Sequence, residues 1–423
     1  MKKVLIISPY FPPANAADMQ RIRMSLPYFE EFGWHADVVK VKNEAYDISL
    51  DPILLESIPQ HIVVHEVKAF SKKYTSKLGL GSLALRALWH YIKYVNKLLK
   101  STQFDLIYFS TTQFPVCTCG AYWKKKFGIP YVIDMQDPWH STYYQDKPKH
   151  QRPPKYWFSY RLNKCLEPIA MRNVSGLISV SQAYLDTLHE RYPRTKNLPQ
   201  KVITFGAFET DFELAIKYQD MIKPSIQKHP ELIQLVYVGR GGYDMCPAAT
   251  LLFQSFQKLL AQNKSKYECY RFHFIGTSYA PKGMGTKTIE PLAQVMGLGN
   301  YVTEQTDRIS FYESIRTLQE ANGLIILGSN DPQYTASKIY PYILAKKPLL
   351  GIFHQESSAY QIIKACHAGW VAALNGSENN NVILFLSQFT STYLEMQTDW
   401  DIFKQYSAKQ MAKYQCEIFY ESI

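Results

Sequence analysis

Short apolar runs alternate with stretches of helical spacing along this chain. Residues 4–7 (Val-Leu-Ile-Ile) read as a buried strand and residues 36–41 as the next, with a helix over 19–32 between them. Further strands are expected at 106–109, 131–133 and 177–180, each a β-branched or aromatic run. Helical patterns near 115–127, 156–173 and 181–191 lie between or after them. The second half restarts the pattern, with strands at 235–239, 271–275, 301–302, 324–327 and 349–353 and helices at 248–260, 289–296 and 309–320. Strands alternating with helices imply parallel, doubly wound sheets. The expected α/β fold is therefore two Rossmann-like domains, 1–212 and 213–400, joined through a charged, poorly periodic stretch at 206–231. The tail, 401–423, is helical in pattern and rich in Tyr and Phe, and is expected to pack back on the first domain.

Two such domains facing a cleft bind ligands at the carboxyl ends of their strands, so chemistry is sought in post-strand loops. After the first strand, Pro13, Ala14 and Asn15 with Ala16 and Ala17 offer small side chains for close backbone approach, and Arg21 and Arg23 follow within reach of a phosphate. A surface turn explains the same loop. After the strand at 131–133 come Asp134-Met135-Gln136-Asp137-Pro138-Trp139-His140. Asp137 or His140 suits a base or an electrostatic partner to a sugar hydroxyl, and Trp139 a stacking face. The plainer reading has Asp137 capping a turn before Pro138.

In the second half, Gly239-Arg240-Gly241-Gly242 directly follows a strand. The glycines permit close approach, and the arginine fork can pair with a diphosphate. The spacing is neither a dinucleotide fingerprint nor a P-loop. The loop 276–287 carries Lys282 among glycines. After the strand at 324–327, Gly328-Ser329-Asn330-Asp331-Pro332 and Tyr334 lead to Ser337-Lys338 at an expected helix start. A serine N-cap needs no ligand and is worth about 1 kcal/mol. A lysine in the first turn, however, opposes the helix dipole unless an anion sits there.

Composition narrows the function classes. The 423 residues are 46% hydrophobic and carry a formal net charge of +11, which calls for anionic partners. Residues 67–104 hold eight Lys or Arg and no acid. Within them Leu85, Leu88, Trp89, Ile92 and Leu99 follow helical spacing, with Arg86, Lys93, Lys97 and Lys100 off the stripe. A basic amphipathic helix over 83–100 suits an anionic membrane surface, and a core-packed helix with solvated lysines is the alternative. The seven cysteines form no CxxC pair and read as reduced cytosolic thiols. The apolar opening ends at Ser8-Pro9, too early for a signal peptide, and no run of about 18 apolar residues appears. Nucleic-acid binding would want basic and aromatic residues interleaved along a sheet face, and this sequence places its basic excess on one helix and in loops.

Taken in order, "KVLIISPYFPP", "FEEFGWHADVV", "IPYVIDMQDPW", "VSGLISVSQAYLDTL", "YVGRGG" and "YTASKIYPYILAKKPLL" resemble the family 4-type glycosyltransferases of GT-B fold, in the subgroup with a DPW loop. The resemblance implies retaining transfer of a sugar from a nucleotide-sugar donor, UDP- or GDP-linked, with no metal and no cofactor. It places Arg240, with Gly239 and Gly241, on the donor diphosphate and Ser337-Lys338 beneath it. Gln136 and Asp137 would face the transferring sugar and the acceptor. With the basic helix near 83–100 bringing the chain to an inner membrane face, the expected acceptor is a glycan or lipid-linked precursor, and the expected protein is cytoplasmic, peripheral at that face, in polysaccharide biosynthesis.

Three departures from the family pattern are visible. The lysine expected shortly after the arginine is replaced by Tyr243-Asp244-Met245-Cys246, leaving Lys338 or Lys282 to supply the charge. The paired glutamates fall at Gln333 and Pro341, so ribose or sugar contacts pass to Asp331, Tyr334 or Glu304. The histidine expected before Asp137 is Gln136. Competing expectations are a sugar-nucleotide epimerase of the same fold, and a catalytically silent nucleotide-sugar or polyanion binder.

Overall fold

The computed structural model describes residues 1–142, 145, 152, 155–329, 338–374, 380–389 and 397–423. The chain forms two compact units, Met1–Gly206 with Ala408–Ile423, and Ala207–Ser407.

The first unit holds β1 (Lys2–Ile7), β2 (Trp34–Val41), β3 (Val63–Val67), β4 (Leu106–Ser110), β5 (Tyr131–Met135), β6 (Gly176–Ser179) and β7 (Gln200–Val202). They make one parallel sheet in the order β3-β2-β1-β4-β5-β6-β7. The order reverses between β1 and β4, the switch point at which open α/β sheets bind ligands. Val4, Leu5, Ile6 and Ile7 are all fully buried. Such continuous apolar runs arise because helices cover both faces of a parallel sheet.

The second unit repeats this plan with β8 (Ile233–Val238), β9 (Tyr270–Ile275), β10 (Val302–Gln305), β11 (Gly323–Leu327), β12 (Leu349–Phe353) and β13 (Trp370–Ala373). Its parallel order is β10-β9-β8-β11-β12-β13, reversing between β8 and β11. The carboxyl ends of β8, β9, β10 and β11 therefore bring four loops to one edge of this sheet.

The C-terminal helix Ala408–Glu421 completes the core of the first unit. Phe419 meets Trp34 at 5.4 Å and Tyr108 at 4.8 Å between ring centroids, both edge-on. Gln415 donates to Ser25 Oγ at 2.7 Å, satisfying a buried amide.

Several elements depart from the sequence expectation. Strands β3, β7 and β13 have no counterpart in it. β3 carries Val63 and Val64 at a solvent-exposed edge, and β7 is a short edge strand, so neither shows a buried apolar run. The helix expected over 19–32 stops at Ser25 and tightens to a 3-10 turn at Leu26–Tyr28, where Pro27 removes a backbone donor. The expected linker 206–231 contains the helix Thr210–Lys217, which buries Leu214 and Ala215 in the second unit.

The helix Leu83–Ser101 forms, but on a different face. Its buried side is Leu83, Ala84, Ala87, Tyr91, Val95 and Leu99, while Trp89 stands exposed. Arg86, expected off the stripe, is buried and donates to the carbonyls of Phe70 and Ala45. No helix among the described residues is long and apolar enough to cross a membrane.

Candidate functional site

In the first unit the loop after β1 is packed rather than open. Pro13 O accepts from Asp51 N, Asn15 N donates to Ser49 O, and Ala14 is fully buried against Leu50 in an antiparallel bridge. These contacts give the small side chain of Ala14 a packing reason of its own, while Asn15 and Ala16 stay half-buried and Ala17 exposed. That packing is against residues 49–51.

Arg21 and Arg23 are likewise committed to the fold. Arg21 is buried, its Nε is 2.6 Å from Asp134 Oδ2, and its terminal nitrogens donate to Ile203 O and Thr204 O. Arg23 donates to Gln20 Oε1 and Ser57 Oγ. A buried guanidinium keeps its charge only with such partners, so neither arginine reaches out to a phosphate.

The end of β5 builds a buried polar network. Asp134 Oδ2 accepts from Ser110 Oγ at 3.0 Å and Gln136 Nε2 at 2.8 Å, with Tyr108 OH at 3.4 Å. Gln136 also donates to Ser110 Oγ, which fixes its amide within the network, and its Oε1 has no partner among the described residues. Asp137 follows and is exposed. Partial desolvation, and then the carboxylate of Asp18, raise its pKa above the ordinary aspartate value.

Asp18 itself is buried and accepts from Thr111 Oγ1, Thr112 N and Thr112 Oγ1. Nothing in the sequence marks it, because all its partners come from the loop after β4. His140 is half-buried with its ring 4.7 Å from Tyr160, and its Nε2 lacks a partner among the described residues. Desolvation and then Arg191 hold its pKa below the ordinary imidazole value, so the ring is a neutral acceptor or donor at neutral pH. Trp139 is no free stacking face. It is buried, stacked on Phe114 at 5.4 Å, and donates Nε1–H to Asn163.

In the second unit the post-strand loops converge on Gly239. A Cβ built there would lie 2.8 Å from Lys338 Nζ and 2.7 Å from the Tyr237 ring, so the glycine leaves the ring and the ammonium their room. Tyr237 OH donates to Arg240 O, Gly241 N to Thr277 O, and Gly242 N to Thr288 Oγ1, tying the β8 and β9 loops together. Lys338 precedes the short helix Ile339–Leu344. Desolvation first, then Arg308 and Arg240, lower its pKa to about 8. Among the described residues no carboxylate pairs with it. Arg308, from the loop after β10, stands over the Tyr279 ring at 4.9 Å. The sequence reading passed over Arg308, since a lone arginine in a loop carries no local signal.

Arg240 meets Asp244 in a two-pronged ion pair, NH1 to Oδ1 at 3.0 Å and NH2 to Oδ2 at 2.6 Å. Its fork thus holds the Asp244 carboxylate by two parallel N–H groups, which can equally grip two oxygens of a phosphate. Both side chains are partly exposed, and such pairs are weak enough to exchange for a ligand.

Glu304 does not face a ligand. It is buried, and its carboxylate accepts from Thr277 Oγ1 and from the backbone N–H groups of Thr288, Ile289 and Glu290 at a helix start. Its acceptor capacity is used in the fold, which removes it from the expected ribose contacts. Lys282 is exposed in the β9 loop. Asp331, Tyr334 and Ser337, like Gln333, lie outside the described residues.

Residues 60–202 match the model of Glycosyltransferase Family 4. No curated protein sequence matches the chain. Among solved structures, Anabaena HepE in complex with UDP-glucose is 15% identical, covering 100% of this chain and 100% of its own, with a TM-score of 0.58. A glycosyltransferase from Rickettsia africae is 12% identical over 100% of this chain and 98% of its own, TM-score 0.57. WaaG, a glycosyltransferase involved in lipopolysaccharide biosynthesis, is 13% identical over 98% and 95%, TM-score 0.52. The two doubly wound units are those of the GT-B fold, and the family match runs through the first of them, from β3 to β7.

Proposed function

We propose that this protein is a glycosyltransferase that moves a sugar from a nucleotide-sugar donor to a glycan or lipid-linked acceptor. The observation that carries this reading is the cationic floor of the second unit. Lys338 lies against Gly239, beside Arg240 and Arg308, with no carboxylate to neutralise it among the described residues. Loops at the carboxyl edge of a doubly wound sheet, lined by glycine and cations, suit a diphosphate. That Anabaena HepE was solved with UDP-glucose favours a UDP-linked sugar here. Retention at the anomeric carbon, without metal or cofactor, follows the family resemblance, as does work at the cytoplasmic face in polysaccharide assembly. Asp331, Tyr334 and Ser337 would complete the donor contacts.

The test is thermal denaturation of the purified protein with UDP, GDP, ADP, TDP and CMP, then with their sugar conjugates. A ligand at a hundredfold excess over its dissociation constant adds about 2.7 kcal/mol of apparent stability. One base is expected to raise the midpoint, and Arg240→Ala to lose that rise. No rise with any nucleotide would refute the reading.

In the first unit, Asp137 is assigned to the sugar or acceptor hydroxyl. Asp137→Asn is expected to lower turnover by about tenfold, the worth of one hydrogen bond to a charged group, with donor affinity unchanged. A parallel fall in donor affinity would instead place it on the donor. The absence of acids at Gln333 and Pro341 favours a second reading, a binder of nucleotide sugars without turnover. Donor binding with no product from any acceptor would select it.

A further inference from the structure

We propose that Asp244 is a built-in competitor for the donor diphosphate, a carboxylate that closes the Arg240 fork in the free protein and loosens its hold on every ligand that needs it. The inference rests on the donor-site reading above and concerns how that same site is regulated.

The device is written within five residues, Arg240-Gly241-Gly242-Tyr243-Asp244. The backbone around the arginine is fixed. Arg240 O accepts from Tyr237 OH, Gly241 N donates to Thr277 O, and Gly242 N donates to Thr288 Oγ1. Gly242, at φ +136°, then turns the chain into the 3-10 helix Tyr243–Met245 that carries Asp244. A Cβ at Gly242 would lie 2.8 Å from Asp244 Oδ1 and 3.3 Å from Arg240 NH1, so the ion pair crosses space that the glycine leaves. Asp244 Oδ1 and Oδ2 engage both terminal nitrogens, the end-on face of the guanidinium.

A diphosphate drawn to Lys338 therefore meets an arginine already neutralised, with a carboxylate of its own sign beside it. To gain the fork it must displace Asp244, and its affinity falls by the fraction of time the fork is open. The two side chains are 34 and 47% exposed, which keeps the pair weak enough for a ligand with more charge and more oxygens to win. Side-chain rotation suffices for opening, because the backbone stays bonded to its neighbours. As a nucleoside diphosphate leaves, the carboxylate recloses the fork, which favours product release, a step that limits many enzymes. The ordinary role of such a pair, stiffening the arginine in a binding-ready pose, predicts the opposite sign, since its loss would then weaken binding.

The test is calorimetric titration of the full chain with UDP and with inorganic pyrophosphate, which needs no base, in wild type, Asp244→Asn and Asp244→Ala. Both substitutions are expected to tighten both ligands about three- to tenfold, the effect of opening one exposed ion pair and removing one like charge. In an Arg240→Ala background, Asp244→Asn is expected to gain less than about twofold, since no fork remains to be released. Unchanged melting midpoints would show that these exposed substitutions leave the fold intact. Equal or weaker binding by both Asp244 variants, with wild type binding, would overturn the competitor and leave the donor site standing. An equal gain in both backgrounds would also overturn it, because the carboxylate would then act through its field and not through Arg240. Binding of neither ligand by wild type or by either variant would remove the donor-site reading together with the competitor.

Discussion

Lys338→Ala is expected to weaken nucleoside diphosphate binding by about 10- to 100-fold, the usual worth of a charge-assisted contact of about 1.5–3 kcal/mol. The argument rests on where the ammonium sits. Gly239 leaves it room, desolvation penalises its charge, and Arg308 and Arg240 add like charge. An anion reverses each of these penalties, so the site gains more from a phosphate than an exposed lysine would.

The same residue sets a pH dependence. Below about pH 8 Lys338 is charged and attracts the diphosphate. As pH rises through that value the free protein loses the proton, and binding must either take one up or forgo the contact. Wild-type affinity is therefore expected to decline from pH 7 to pH 9.5, with proton uptake on binding seen by calorimetry in two buffers. Lys338→Ala is expected to bind weakly and without that slope. For folding alone the sign is opposite. The folded pKa is depressed below the ordinary lysine value of 10.5, so the buried charge costs stability below about pH 8 and the cost is relieved as pH climbs toward 10.5. Equal affinities of wild type and variant at pH 7 would remove Lys338 from the site.

Arg21→Leu is expected to cost about 3–5 kcal/mol of stability, because it leaves the buried Asp134 without its counter-charge. It also strips the Ile203 and Thr204 carbonyls of their donor. Chemical denaturation of the variant measures the loss. Adding Asp134→Asn removes the orphaned charge and is expected to restore part of it. A loss below about 1 kcal/mol would mean that water or a protonated Asp134 relieves the pair.

The strands that order both sheets were legible because each central one is a continuous buried apolar run, as in β1, β8, β11 and β12. The edge strands β3 and β7 were not, since an edge buries little and shows no such run. The candidate phosphate loop at Gly239–Gly242 was legible from glycine and arginine following a strand. Its third cation, Arg308, was not.

The sequence by itself determined where the central strands and most of the helices form, that two doubly wound units follow one another, and which post-strand loops hold glycine and positive charge. These are local properties, set by side-chain periodicity and backbone preference within a few residues. Tertiary structure decided which charges remain for a ligand. Arg21 finds its acceptors 182 and 183 positions away, Glu304 caps a helix start 14 to 16 residues upstream, and Lys338 meets Arg240 and Arg308 across three loops. It also chose between two apolar faces of Leu83–Ser101, burying the one that carries Ala84, Ala87, Tyr91 and Val95. Burial and pairing depend on partners remote in the chain, and no local pattern carries that information.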